Sequence, residues 1–292
     1  MIRAPIGKKE YWDKWIDHKH IYIKEVQERI KQPSGNPSYR PQYIFELVID
    51  YLKLILRRYS RGDAVSELAQ YFSPLLDAWE KSELLGKDVW TKEQQYTRHA
   101  WVVNLDSYNH CFWLVGLALI LEIPEEQWQR LLVLIDNEGE DELLDRVIAS
   151  RQSERKIGNK LCYPKPYQRL LDAINAPKEH QAKLLREFVD KWYKELKQPG
   201  KKGMTRYESL YLYPYWYKYI DRGLESGWYF GNWCIEAVAA VKAFGLDDLL
   251  CLGHEHYPGD LLRPNGPSTH QIRNKVSSPD NRKKASSPNN RQ

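Results

Sequence analysis

Residues 228–244 read WYFGNWCIEAVAAVKAF, and the only charges among them are Glu236 and Lys242. Thirteen of these 17 residues are apolar, with no polar face at helical spacing. The stretch predicts a helix over 228–244 that is apolar on every side, and such a helix is buried all round. Gly245 follows it, and glycine suits the left-handed position just past a helix end. The chain then runs through Leu246-Asp247-Asp248 to an aromatic-proline exit, His256-Tyr257-Pro258-Gly259-Asp260-Leu261. A central helix with one acid, an acidic turn and that exit form the distinctive part of the chain.

The remainder supplies ample material for such a core. Of 292 residues, 42% are hydrophobic, and 11 Trp and 20 Tyr make a heavy aromatic load. The longest apolar run, Cys111–Leu121, falls far short of the ~20 residues that span a bilayer, so no membrane segment is expected. The opening MIRAPIGKKEYWDKW has no apolar leader, and Cys111, Cys162, Cys234 and Cys251 lack CxxC spacing. Both features fit a cytoplasmic protein with reduced thiols. The net charge of +5 has a single source. Residues 264–292 carry six bases (Arg273, Lys275, Arg282, Lys283, Lys284, Arg291) against Asp280, which leaves residues 1–263 neutral. A neutral body argues against direct nucleic-acid binding by the fold.

Helical spacing recurs along the body. It links Trp12, Trp15, Tyr22, Val26 and Ile30, then pairs from Tyr43/Ile44 to Leu54/Ile55. Asp63 reads as the N-cap of a helix through Val65, Leu68, Phe72, Leu76 and Trp79, kinked at Pro74. Tyr96–Leu121 reads as one long helix or two, and Pro124 opens another. Leu143–Ile148 marks a short helix, and Leu184 to Leu196 a clean stripe. The tyrosines at 207, 211, 215 and 219 fit a helix better than a strand, because Pro214 interrupts the alternation. The expectation is an all-α, multi-helix bundle with an N-terminal helical half (8–123), a C-terminal helical half (124–263) and a disordered basic tail (264–292).

Few residues invite chemistry. Glu236, alone on its apolar helix, must be paired, hydrogen-bonded or neutral. A structural carboxylate bonded by a neighbouring Tyr, Trp or Arg is favoured over a tuned acid or base. His254, Glu255, His256 and Asp260 crowd one loop, but they lack the spacing of a metal site. No nucleophile elbow, P-loop or dinucleotide fingerprint is present, so neither an enzyme nor a cofactor is expected. The remaining cluster is DNEGEDELLD, which places Asp136, Glu138, Glu140, Asp141, Glu142 and Asp145 within ten residues without a base. With Leu143 and Leu144 turned to the core, all six acids are expected to face outward. They serve either as a solvated loop that favours the next helix's N-terminus or as a patch that docks a basic protein.

At these residues the chain resembles the PoNi-type bacterial immunity proteins, a two-domain helical family formerly known only as paired domains of unknown function. Its C-terminal domain has a similar aromatic-Gly-x-Trp-x-x-Glu-Ala-Ala helix, Leu-Asp-Asp turn and Tyr-Pro-x-Asp-Leu exit. These correspond here to Trp228, Gly231, Trp233 and Glu236, then Gly245, Asp247 and Asp248, then Tyr257, Pro258 and Asp260. The N-terminal half, from Lys8 to Ile123, is similar mostly in pattern, and the tail lies outside the resemblance. The resemblance implies an antitoxin that binds and neutralises a cognate toxin in the cytoplasm. In that family the toxin is typically a DNase of the PD-(D/E)xK type, delivered between competing bacteria. The matched motif is too apolar to be an interface, so the expected toxin-binding residues, Asp136 to Asp145, come from charge alone. The alternative is a nucleic-acid-associated regulator acting through the tail. The aromatic load would also support a homodimer.

Overall fold

The computed structural model describes residues 1–200, 203 and 213–270. Among them are ten α-helices and no strand. They are α1 (Lys9–Arg29), α2 (Arg40–Arg61), α3 (Phe72–Gly86), α4 (Lys92–His99), α5 (Leu105–Ile120), α6 (Glu125–Ile135), α7 (Glu142–Ala149), α8 (Pro164–Asn175), α9 (Lys178–Glu195) and α10 (Ile235–Phe244). The first three pack in sequence order, and α6 closes on α3. There the Arg130 guanidinium meets Asp77 at 2.5 Å and Glu80 at 2.7 Å. In the second half α8 lies along α9, and α10 lies against α5. The two most apolar helices therefore pair at the centre, as helices without a polar face must. One continuous core joins both halves.

The stretch at 228–244 folds differently from expectation. The helix begins at Ile235, and residues 228–234 are irregular. Gly231 takes φ +101°, and a Cβ there would fall 2.2 Å from Trp233 Nε1. Helices α1 and α2 capture the main-chain carbonyls of this segment. Tyr11 donates to Tyr229 O (2.6 Å), Arg57 to Gly227 O (2.7 Å) and Ser60 to Phe230 O (3.0 Å). Side chains from α1 and α2 thus take carbonyls that a longer α10 would have used. Burial is also incomplete, because Trp228 is 44% exposed and Lys242 reaches solvent to meet Glu122 at 2.8 Å.

Other expectations change locally. Asp63 caps no helix. It follows Gly62 at the end of α2 and accepts from Arg58 (2.5 Å) and Arg61 (2.6 Å), and two 3-10 turns precede α3. Pro74 sits in the first turn of α3, where its missing N–H costs nothing. Tyr96–Leu121 divides into α4 and α5, because Asn104 caps α5 through Ser107 N (2.9 Å). Residues 213–219 form turns rather than a helix, and Tyr207 and Tyr211 lie outside the described residues. The expected disordered tail begins too early in the sequence reading. Ser268 and Thr269 bond Asp260 (2.7 and 2.6 Å), and His270 meets the Tyr59 hydroxyl at 2.8 Å. Residues 271–292 lie outside the described residues.

Candidate functional site

The acidic segment joins α6 to α7, and its backbone is forced into an unusual shape. Asp136 and Asn137 both take positive φ (45° and 56°), a conformation that costs about 1–3 kcal/mol per non-glycine residue. Asn137 holds it by donating to Ile135 O (2.9 Å) and His99 O (3.1 Å). Two buried carboxylates then organise the rest. Asp141 caps α7 through Leu144 N (2.8 Å) and also accepts from Cys162 N (2.7 Å) and the Tyr108 hydroxyl (3.0 Å). Asp145 accepts from the N–H groups of Gly139 (3.0 Å), Gly158 (3.1 Å) and Asp141 (3.3 Å), and from Arg155 Nε (2.8 Å). The 158 position must be glycine for this, because a Cβ would lie 2.6 Å from Asp141 N.

The expectation that all six acids face outward therefore fails for Asp141 and Asp145, which are fully buried. Hydrophobic spacing cannot reveal this, because what draws them inward is a set of unpaired main-chain N–H groups and one arginine. Burial pushes both carboxyls above the ordinary aspartate range, opposed by those donors. Glu142 is half-buried, 3.6 Å from Arg146. Asp136, Glu138 and Glu140 are exposed.

Those three carboxylates line a surface groove of about 770 Å³. Tyr96 and Val133, 54% and 79% exposed, supply apolar surface beside them. Glu83 adds a fourth acid, and with Lys87 and Lys92 also in the lining the groove keeps acid in excess. Glu138 is braced by Lys156 N at 2.6 Å, so its charge is held in place. The groove is thus a partly apolar, acidic surface.

The residues of the C-terminal motif serve mainly the interior. Glu236 Oε1 accepts from Tyr167 (2.9 Å) and Trp192 (3.3 Å), while Oε2 has no partner. Complete burial, only partly offset by these donors, raises its pKa to about 7. Trp233 donates to Ser60 (2.8 Å). Asp248 accepts from Tyr257 (2.5 Å) and Arg263 (2.9 Å), and Asp260 from Arg3 (2.7 Å). Pro258 is buried with them, whereas Gly245 and Asp247 are exposed at the turn. His256 stacks on Tyr193 and bonds Asn232 O (2.9 Å), and His254 lies 3.3 Å from Asp190. Among the described residues, no group of three or more His, Cys, Asp or Glu is placed to hold a metal ion. None of the described helices is long and apolar enough to cross a membrane.

A second cavity escaped the sequence reading. Lys53, Asp106 and His110 line a cleft of about 670 Å³ among α1–α5, with Tyr215 and Trp228 at its edge. Its one signal was Lys53, a charge inside the apolar run Tyr51–Leu56.

Comparison with known proteins gives three findings. A family model described as PoNe immunity protein (PoNi), N-terminal, matches residues 3–133, and its C-terminal counterpart matches residues 139–261. No curated protein matches. Among solved structures, the crystal structure of protein PA2201 from Pseudomonas aeruginosa is similar in fold, with a TM-score of 0.65 at 18% identity over 90% of each chain. Two family models in the family's own order, with only residues 134–138 between them, cover nearly all of the described body, and the chain belongs to the PoNe immunity protein (PoNi) family.

Proposed function

We propose that the protein neutralises a cognate DNase toxin in the cytoplasm by one-to-one binding, without catalysis, and that the acidic groove is part of the contact surface. Family membership supports the immunity role. The observation that carries the site is the display of Asp136, Glu138 and Glu140 on a fixed frame beside exposed Tyr96 and Val133. A nuclease grips phosphate with basic surface. An acidic groove with apolar contacts complements such a surface, speeding encounter and rejecting other partners.

The test is co-expression with the nuclease domain encoded alongside. Survival, intact chromosomal DNA and a one-to-one complex support the reading. Changing Asp136→Asn, Glu138→Gln and Glu140→Gln together removes the charge while respecting the left-handed backbone at 136. That variant should melt near wild type and associate at least tenfold more slowly. Unchanged association would refute the groove but not the immunity role, whereas failure of the unaltered chain to protect would refute the latter.

A further inference from the structure

The cleft among α1–α5 differs in chemistry from the groove, and the two share only His99 among their described lining residues. Its walls include the rings of Tyr22, Phe45 and Trp79. Between them lie hydrogen-bond donors without matching acceptors. The Lys53 ammonium makes no ion pair among the described residues. It lies over the faces of Tyr215 (4.8 Å) and Tyr219 (5.6 Å), with Asp50 and Asp106 acting on it favourably from beyond ion-pair distance. Burial lowers its pKa to about 8. Arg98 stacks on Trp90 at 3.8 Å and donates one bond to Gln42 (2.5 Å), but its buried Nε has no partner. His110 is held neutral by burial and makes only ring contacts with Trp113 and Tyr215 among the described residues.

The acids of the cleft do not meet these donors. Asp50 is engaged by Lys19 at 2.6 Å, and Glu46 accepts from the Tyr39 hydroxyl at 2.9 Å. Asp106 accepts from Tyr215 N (3.1 Å), and burial raises its pKa to about 6. A buried cation whose carboxylates lie beyond ion-pair distance is only partly compensated, so a ligand that brings an anion onto Lys53 relieves the remaining cost. Aromatic walls favour a flat ring beside it. The volume lies within the range of about 300–1,000 Å³ usual for small-molecule sites.

We infer that this cleft binds a planar, ring-bearing organic anion of mononucleotide size, with the anionic group on Lys53 and Arg98 and the ring between Tyr22, Phe45 and Trp79. A mononucleotide and an aromatic carboxylate share this chemistry, and the probes separate them.

The experiment is calorimetric titration of the full chain with AMP, benzoate, adenosine and inorganic phosphate. AMP or benzoate should saturate at one per chain with Kd below about 1 mM, and whichever binds more tightly identifies the source. Adenosine and phosphate, each lacking one half of the chemistry, should bind at least tenfold more weakly. Lys53→Met should weaken the bound anion at least tenfold and leave the melting temperature no lower, because it removes a desolvated charge. Should that variant misfold, Arg98→Gln carries the same expectation of weakened binding. Saturable binding by neither anion, adenosine matching AMP, or full affinity in the folded variants would overturn the inference.

Discussion

Arg155 and Asp145 form an ion pair at 2.8 Å with side chains only 6% and 0% exposed, directly beneath the exposed acids of the groove. The same arginine donates to Asp136 O at 2.9 Å, so one guanidinium ties a buried carboxylate to the strained start of the loop. Asp145→Asn leaves that guanidinium buried without its counter-charge. The expected cost is about 3–5 kcal/mol, read as a lower urea midpoint with an unchanged denaturant slope.

Association with the cognate nuclease should depend on salt. Charges separated by more than about 8–10 Å are largely screened at 0.1–0.15 M ionic strength. Raising NaCl from ~50 to ~500 mM should therefore slow association about tenfold or more and change dissociation little. Stopped-flow mixing measures both. The variant neutralised at Asp136, Glu138 and Glu140 should show a flatter dependence, and parallel slopes for the two proteins would place the attraction elsewhere.

Glu236 gives a pH signature of opposite sign to that of a salt-bridged acid. Its folded pKa of about 7 lies above the ordinary 4.5, so the folded state holds the proton more tightly than the unfolded chain does. Its contribution is fully present below pH ~4.5 and is lost as pH rises through 7. Glu236→Gln, which imitates the protonated form, should remove that loss. Relative to wild type it should gain stability from pH 4.5 to 7, by up to about 3 kcal/mol. Equal pH profiles for the two proteins would mean the carboxyl is ionised in the fold.

A chain ending at His270 and one ending at Arg263 should differ in stability. The shorter one loses Ser268 and Thr269, three of whose groups bond Asp260. Burial would raise the Asp260 pKa, but these donors and Arg3 outweigh it and hold the carboxyl below its ordinary range. Removing three bonds to a carboxylate should cost about 2–4 kcal/mol by thermal unfolding. Equal melting temperatures would show that the 264–270 segment is not part of the folded unit.

The helical class was legible because apolar spacing of three and four recurs through most of the body, and the paired burial of α5 and α10 follows from their lack of a polar face. What spacing could not convey was competition for hydrogen bonds. Residues 228–234 are apolar enough for a helix, yet Tyr11, Arg57 and Ser60 claim main-chain carbonyls in and beside that segment from two other elements. The acidic segment was visible as charge, but its division into buried and exposed members depends on Gly158 and Arg155, thirteen and ten residues beyond Asp145. The cleft was hidden because its donors come from α2, α4 and α5, and only the fold brings them together.

The loop between α6 and α7 keeps its shape through Asn137, Asp141, Asp145 and main-chain donors, and the side chains of Asp136 and Glu140 take no part in that bonding. The charge displayed at Glu140, and at Asp136 within what its positive φ allows, is thereby uncoupled from the bonding that shapes the loop. Changing Glu140, or Asp136 to a residue that tolerates its positive φ, alters which surface is attracted and which is repelled without repacking the interior. With the groove as the contact surface proposed above, a few such substitutions would change the difference between two affinities while leaving the buried Asp141 and Asp145 bonding in place.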